Sequence, residues 1–191
     1  MKKTLALFDF DHTLYSKDSL IEFTRFVVGN TTLYTGLAKL SPQLAAMKLG
    51  LLNNGSTKQK YLIHFFRGID YKTFSELASE FSLNHIDKDL DIHLKKTLQK
   101  HIDNNDTVYI VSASFTEWLE PWCSLNKIGL ISSKLEVVNN KLTGKIAGTN
   151  CYGPEKAAKI SNAIDITTYD SIYVYGKGKG DKEMMLLKKN N

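Results

Sequence analysis

The sequence predicts an α/β fold, a doubly wound three-layer core around a parallel sheet that carries an all-helical insertion. Three observations support this. Short apolar runs at residues 5–8, 108–111 and 172–175 lack a polar face, as strands buried on both sides of a parallel sheet do. Stretches with helical spacing separate these runs, the alternation that covers a sheet on both faces. Residues 16–88 follow a helical pattern with no strand among them.

Composition narrows the function classes. A chain of 191 residues holds one core and an appendage but not two large domains. The formal charge of +5 comes from lysines spread along the chain, and the only arginines are Arg25 and Arg67. A nucleic-acid binder concentrates cations on one face and favours Arg, so that class ranks a distant third behind an enzyme and a ligand-binding protein; the charge gives at most a mild attraction for anionic substrates or lipid headgroups. Cys123 and Cys151 lack metal or redox spacing and read as buried, reduced thiols. The basic start at Lys2 and Lys3 leads into an apolar run that Asp9 and Asp11 cut short, which excludes a signal peptide. No run of about 18 apolar residues offers a membrane span. A cytoplasmic location is expected.

The first strand delivers Asp9, Asp11 and Thr13. In continued extended geometry, Asp9 and Asp11 leave the same side of the backbone at the strand's carboxyl end, where open α/β sheets bind ligands. Taken alone, they equally fit a strand closed by an Asx-type turn. His12 would point away from both acids. Residues 18–30 form a helix capped by Asp18 or Ser19 and stopped at Gly29 and Asn30. Residues 32–52 remain helical and unusually apolar, with Leu44, Met47 and Leu52 among them, and Pro42 should open a new helix. A turn is expected at 53–57, then helices at about 57–67 and 71–84.

An amphipathic helix over 89–103 rejoins the core and leads to the strand ending at Ser112. Residues 115–126 are helical, with Pro121 expected to kink or split them. Two alternating runs over 130–146 predict a hairpin about Asn139 and Asn140, because Asn tolerates positive φ. Pro154 opens a helix to about Ile164. The last strand, 171–175, passes through a glycine-rich loop into a short helix ending near Leu187.

The residues at these strand ends carry a pattern. Asp9-Phe-Asp11-His-Thr13 resembles the DxDxT motif of the haloacid dehalogenase (HAD) superfamily. Ser112, Lys156 and the stretch from Gly176 to Asp181 are similar to its second, third and fourth motifs. The wording of 111–123 and 150–156 is similar to the phosphoserine-phosphatase-like branch, subfamily IB. Such a resemblance implies a Rossmann-like core of residues 1–15 and 89–191, with 16–88 as a small helical cap. Relatives of this kind usually carry a further tail beyond the position of Leu187.

For chemistry, the resemblance implies a phosphomonoester hydrolase working through an aspartyl-phosphate on a small or lipid-linked ester. Asp9 would be the nucleophile, Asp11 the proton donor and then base, and Thr13, Ser112 and Lys156 the phosphate-binding residues. Without the resemblance, Ser112 reads as a helix cap and Lys156 as an exposed helix lysine. Asp18 and Arg25 would select the substrate. Asp9, Asp11 and Asp181 would hold Mg²⁺, but Lys177 stands where the family's fourth motif carries a ligating acid, and an ammonium cannot coordinate a cation. Lys177 is expected to pair with Asp9 and impair metal binding and activity. The alternative is a non-catalytic protein that binds a phosphorylated ligand or a partner.

Overall fold

The computed structural model describes residues 3–51 and 54–189. Strands β1 (Thr4–Phe8), β2 (Thr107–Phe115), β3 (Gly129–Ser133) and β6 (Ser171–Tyr175) form one sheet in the order β3-β2-β1-β6, with every pairing parallel. Strand alternation divides the core. Leu5 and Leu7 face one side with Val111, Ile131 and Val174, whereas Ala6 and Phe8 face the other with Val108 and Ile110. Helices α6 (Pro154–Ala163) and α7 (Lys182–Met185) cover the first side through Ile160 and Met184. Helices α4 (Ile92–Asp103) and α5 (Thr116–Leu125) cover the second through Leu98, Trp118 and Trp122. The result is the expected three-layer α/β core, with the carboxyl ends of β1, β2 and β6 side by side.

The insertion is helical, as α1 (Ser19–Lys48), α2 (Asn54–Phe66) and α3 (Tyr71–His85). Asp18 caps α1 by accepting from Ile21 N at 3.1 Å. The helix kinks at Gly29, whose φ of 78° is left-handed and open to glycine at little cost. Pro42 does not start a new helix. Its missing bond would have gone to the carbonyl of Ala38, an exposed residue, so water can satisfy that group and the helix runs on. Pro121 likewise leaves α5 whole, pinned to the core by buried Trp118, Leu119 and Trp122. The turn expected at 53–57 begins earlier, at 49–51, because residues 54–57 already form the first turn of α2; Leu52 and Asn53 lie outside the described residues, as does the side chain of Leu44.

The two runs over 130–146 resolve into three strands. The first is β3, which joins the main sheet; β4 (Leu135–Val138) and β5 (Lys141–Ile146) make the hairpin, turned by Asn139 and Asn140 with φ of 50° and 57°. That hairpin also holds the insertion. Gly68 N donates to Leu142 O at 2.7 Å, Leu142 N to Ile69 O at 3.0 Å, and Tyr71 N to Asn140 O at 2.9 Å.

Candidate active site

The carboxyl ends of β1, β2 and β6 form the floor of a cleft of about 380 Å³, and α1 and α2 form part of its wall. Its centre is a buried charge trio. Lys156, on the first turn of α6, donates to Asp9 Oδ1 and to Asp181 Oδ1, each at 2.5 Å. The second oxygen of Asp9 accepts from Thr13 Oγ1 at 2.7 Å, and that of Asp181 from Gly178 N at 2.7 Å. Gly176 lets the loop close around this acid, since a Cβ there would stand 2.9 Å from the Asp181 side chain.

Burial works against the charge of Lys156, but Asp9 and Asp181 together outweigh it and hold the ammonium above its ordinary pKa. Burial pushes the Asp9 carboxyl up, Lys156 draws it back, and Asp181 raises it again. Lys156 is no exposed helix lysine: it is 2% exposed.

Asp11 reaches the cleft by a different route from the one extended geometry predicts. β1 stops at Phe8, and His12 adopts φ 58°, so residues 9–13 turn rather than continue the strand. Asp11 Oδ1 then accepts from Ser19 N at 2.7 Å, the first residue of α1. Burial, with Asp18 adding repulsion, pushes its carboxyl up to about 7. His12 is exposed but does line the cleft rim.

Ser112 lines the cleft and is buried; its Oγ accepts from Ser114 N at 2.9 Å, leaving its hydrogen available to a ligand. It caps no helix, because α5 begins only at Thr116. Thr13 is engaged with Asp9 and does not line the cleft, so its part is to fix the acid rather than to touch a ligand. Asp18 lines the cleft. Arg25 does not: its Nη1 donates to Glu22 Oε1 at 2.6 Å, one helical turn away.

Lys177 also departs from expectation. It is exposed, it does not line the cleft, and its charge acts on Asp91 rather than on Asp9. The cation beside Asp9 is Lys156. All four carboxylate oxygens of Asp9 and Asp181 already accept a bond, and an ammonium stands between them. A divalent ion there would meet that charge at close range, so the acids as arranged do not fit Mg²⁺. Among the described residues no group of three or more His, Cys, Asp or Glu is placed to hold a metal.

Two wall residues escape sequence reasoning. Lys58 of α2 crosses to the core, where its Nζ donates to Ala113 O at 2.5 Å and lies 4.6 Å from the centre of the Phe115 ring. Burial lowers its ammonium to about 8, against the pull of Asp11 and Asp18. Tyr61, 5% exposed, lines the same wall, and its hydroxyl has no well-formed partner among the described residues; the hydroxyl of its neighbour Thr24 is already donated to Leu20 O at 2.7 Å. Nothing in the sequence separates Lys58 from Lys60 on the same helix. Only a helical-wheel register against the core could have done so.

Cys123 and Cys151 are free and buried, and burial raises the Cys151 thiol to about 11.

Residues 6–186 match the family described as haloacid dehalogenase-like hydrolase. Over 187 residues the chain is 27% identical to the phosphoserine phosphatase of Campylobacter jejuni subsp. doylei, covering 94% of this chain and 81% of that protein. A protein of unknown function from Bordetella pertussis Tohama I superposes with a TM-score of 0.83 at 19% identity, covering 98% of this chain and 88% of that one. A substrate-bound phosphoserine phosphatase gives a TM-score of 0.69 at 19% identity, with 98% and 84% covered. These two structures share the fold.

Proposed function

The chain belongs to the haloacid dehalogenase-like hydrolases, and we propose that within that family it is a phosphatase acting on a small phosphomonoester through an aspartyl-phosphate. The observation that carries this is the pairing of a buried acid fixed by Thr13 and Lys156 with a second acid, Asp11, whose proton affinity lies near neutrality. The phosphoserine phosphatase relative from Campylobacter supports it.

In the first step an Asp9 oxygen attacks phosphorus and the ester P–O bond breaks. Its electron pair stays on the leaving oxygen, which takes the proton of Asp11 and departs as an alcohol. Water then attacks the same phosphorus, Asp11 takes a proton from it, and the P–O bond to Asp9 breaks to give phosphate and the free carboxylate. Ser112 would donate to a phosphoryl oxygen and Lys156 would offset charge on the transferring group. The Mg²⁺ implied by the family resemblance enters neither step, given the trio's geometry.

Residues 16–88 would serve as the cap, whose wall selects the substrate. Leu20, Ile21, Met47 and Tyr61 make that wall apolar, with Asp18 and Lys58 as its charges. A cleft of about 380 Å³ favours a small ester with a partly apolar end over a lipid with full chains. That each Asp9 oxygen already accepts one bond, from Thr13 or from Lys156, favours a second reading, a non-catalytic site that binds phosphorylated ligands.

One experiment separates the two. A panel from O-phosphoserine through phenyl phosphate to long-chain alkyl phosphates should show turnover that Asp9→Asn reduces at least about a thousandfold. Equal phosphate binding without turnover in either form selects the second reading.

A further inference from the structure

β2 loses register with β3 between Ser112 and Phe115, so residues 113 and 114 leave the ladder just where the cleft floor begins. This frees Ser114 to bond in two directions. Its N–H donates to Ser112 Oγ at 2.9 Å, and its hydroxyl meets the hydroxyl of Ser19 at 2.7 Å. Ser19 in turn donates its N–H to Asp11 Oδ1 at 2.7 Å, and its Oγ also accepts from Trp118 Nε1 at 3.2 Å. Ser19, Ser114 and Trp118 are at most 1% exposed, so water does not compete for these bonds. A continuous chain thus joins Asp11 to Ser112, and it spans the junction between β2 of the core and the first residue of the insertion.

We propose that Ser114 and Ser19 are a pair of positioning residues, which set the proton donor Asp11 at a fixed distance from the phosphate-anchoring hydroxyl of Ser112. The physical reason is the geometry of leaving-group protonation. The ester oxygen lies between the phosphoryl group, held on the Ser112 side, and the Asp11 carboxyl, and a misplacement of about 1 Å in such an arrangement costs about a hundredfold in rate. The hydroxyl contact between Ser114 and Ser19 is the one link of the chain between the two elements that is made by side chains alone. Either serine can therefore be changed to alanine without removing the backbone N–H that holds Ser112 or Asp11.

The inference rests on the phosphatase reading, and its test keeps the two apart. kcat/KM, which reports the steps through loss of the leaving group, is measured for p-nitrophenyl phosphate and for β-glycerol phosphate in the full chain, Ser114→Ala, Ser19→Ala and the double variant. An alkoxide leaving group needs the proton of Asp11, and a nitrophenolate hardly does. We expect each single variant to lose at least about tenfold on β-glycerol phosphate and less than about twofold on p-nitrophenyl phosphate. The double variant should lose no more than the worse single one, since both cut the same link. Equal losses on the two esters, no loss, or additive losses overturn the proposal.

If the unaltered chain hydrolyses neither of these esters nor any of the panel above, the phosphatase reading fails, and nuclear magnetic resonance then judges the link by itself. Ser114→Ala must move the Trp118 indole N–H and Ser19 amide resonances, because both bonds run through Ser19. Unmoved resonances overturn the link; moved ones sustain it as a structural coupling of Asp11 to β2.

Discussion

The floor and the wall of the cleft are built on opposite terms. On the floor, Asp9, Asp181 and Lys156 engage one another, and Thr13 and Gly178 take up the remaining carboxylate oxygens. On the wall, Lys58 donates to Ala113 O at 2.5 Å and only at 3.5 Å to Asn150 Oδ1, and the Tyr61 hydroxyl has no well-formed partner among the described residues, beside apolar Leu20, Ile21 and Met47. A fully bonded floor has few ways to rearrange for one ligand over another. The wall keeps apolar surface and polar groups that are less tightly engaged, so in the proposed phosphatase discrimination between esters would belong there, and bond-making to the floor.

The largest effect that would test this contrast is on the floor. Lys156→Met leaves two buried carboxylates facing each other without a cation, and should lower unfolding stability by about 3–5 kcal/mol at pH 8. The deficit should shrink at pH 5, as Asp9, whose carboxyl burial already pushes up, takes up its proton. Urea unfolding at both values measures it, and a loss below about 1 kcal/mol would mean that the floor is less tightly coupled than its distances indicate.

On the wall, Lys58→Met should change selectivity rather than chemistry. Its ammonium is desolvated and lies in a cleft that also holds Asp18, so KM for O-phosphoserine, with its carboxylate, should rise about tenfold while KM for phenyl phosphate stays within about twofold. Parallel changes for both esters would erase the distinction between the two regions.

Asp11 stands between floor and wall, and its effect is on pH dependence. Its folded pKa of about 7 lies above its ordinary value of 3.8, so its contribution to stability is fully present below the lower value and lost as pH rises through the upper one. Asp11→Asn should therefore stabilise the protein at pH 8 by about 2 kcal/mol, the partial exposure of the group reducing the full linkage value. The gain should fall away toward pH 4; a gain that grows on acidification would reverse the sign.

The smallest effect concerns Lys177. Its exposed side chain lies away from the trio, so Lys177→Ala should alter turnover less than about twofold. A gain of tenfold would return this lysine to the site.

What the sequence determined by itself is the set of groups attached to strand ends. An apolar run buried on both faces must stop where polar residues begin, and in a parallel sheet these stops fall on one edge; Asp9 and Ser112 were legible for that reason, whereas Lys156, on the first turn of α6, and Asp181, in the turn beyond β6, were marked only by the family pattern. The tertiary structure decided everything that depends on where a side chain finds its partner. Arg25 had Glu22 one turn away and was captured locally, so it never reached the cleft. Lys177 carried the right position in the loop, but its side chain runs into solvent, and Lys156 took the place between the acids. Lys58 enters from a helix 55 residues before the carbonyl it meets. Local sequence fixes a residue's backbone state within a few neighbours, whereas a contact across such a separation depends on how whole elements pack.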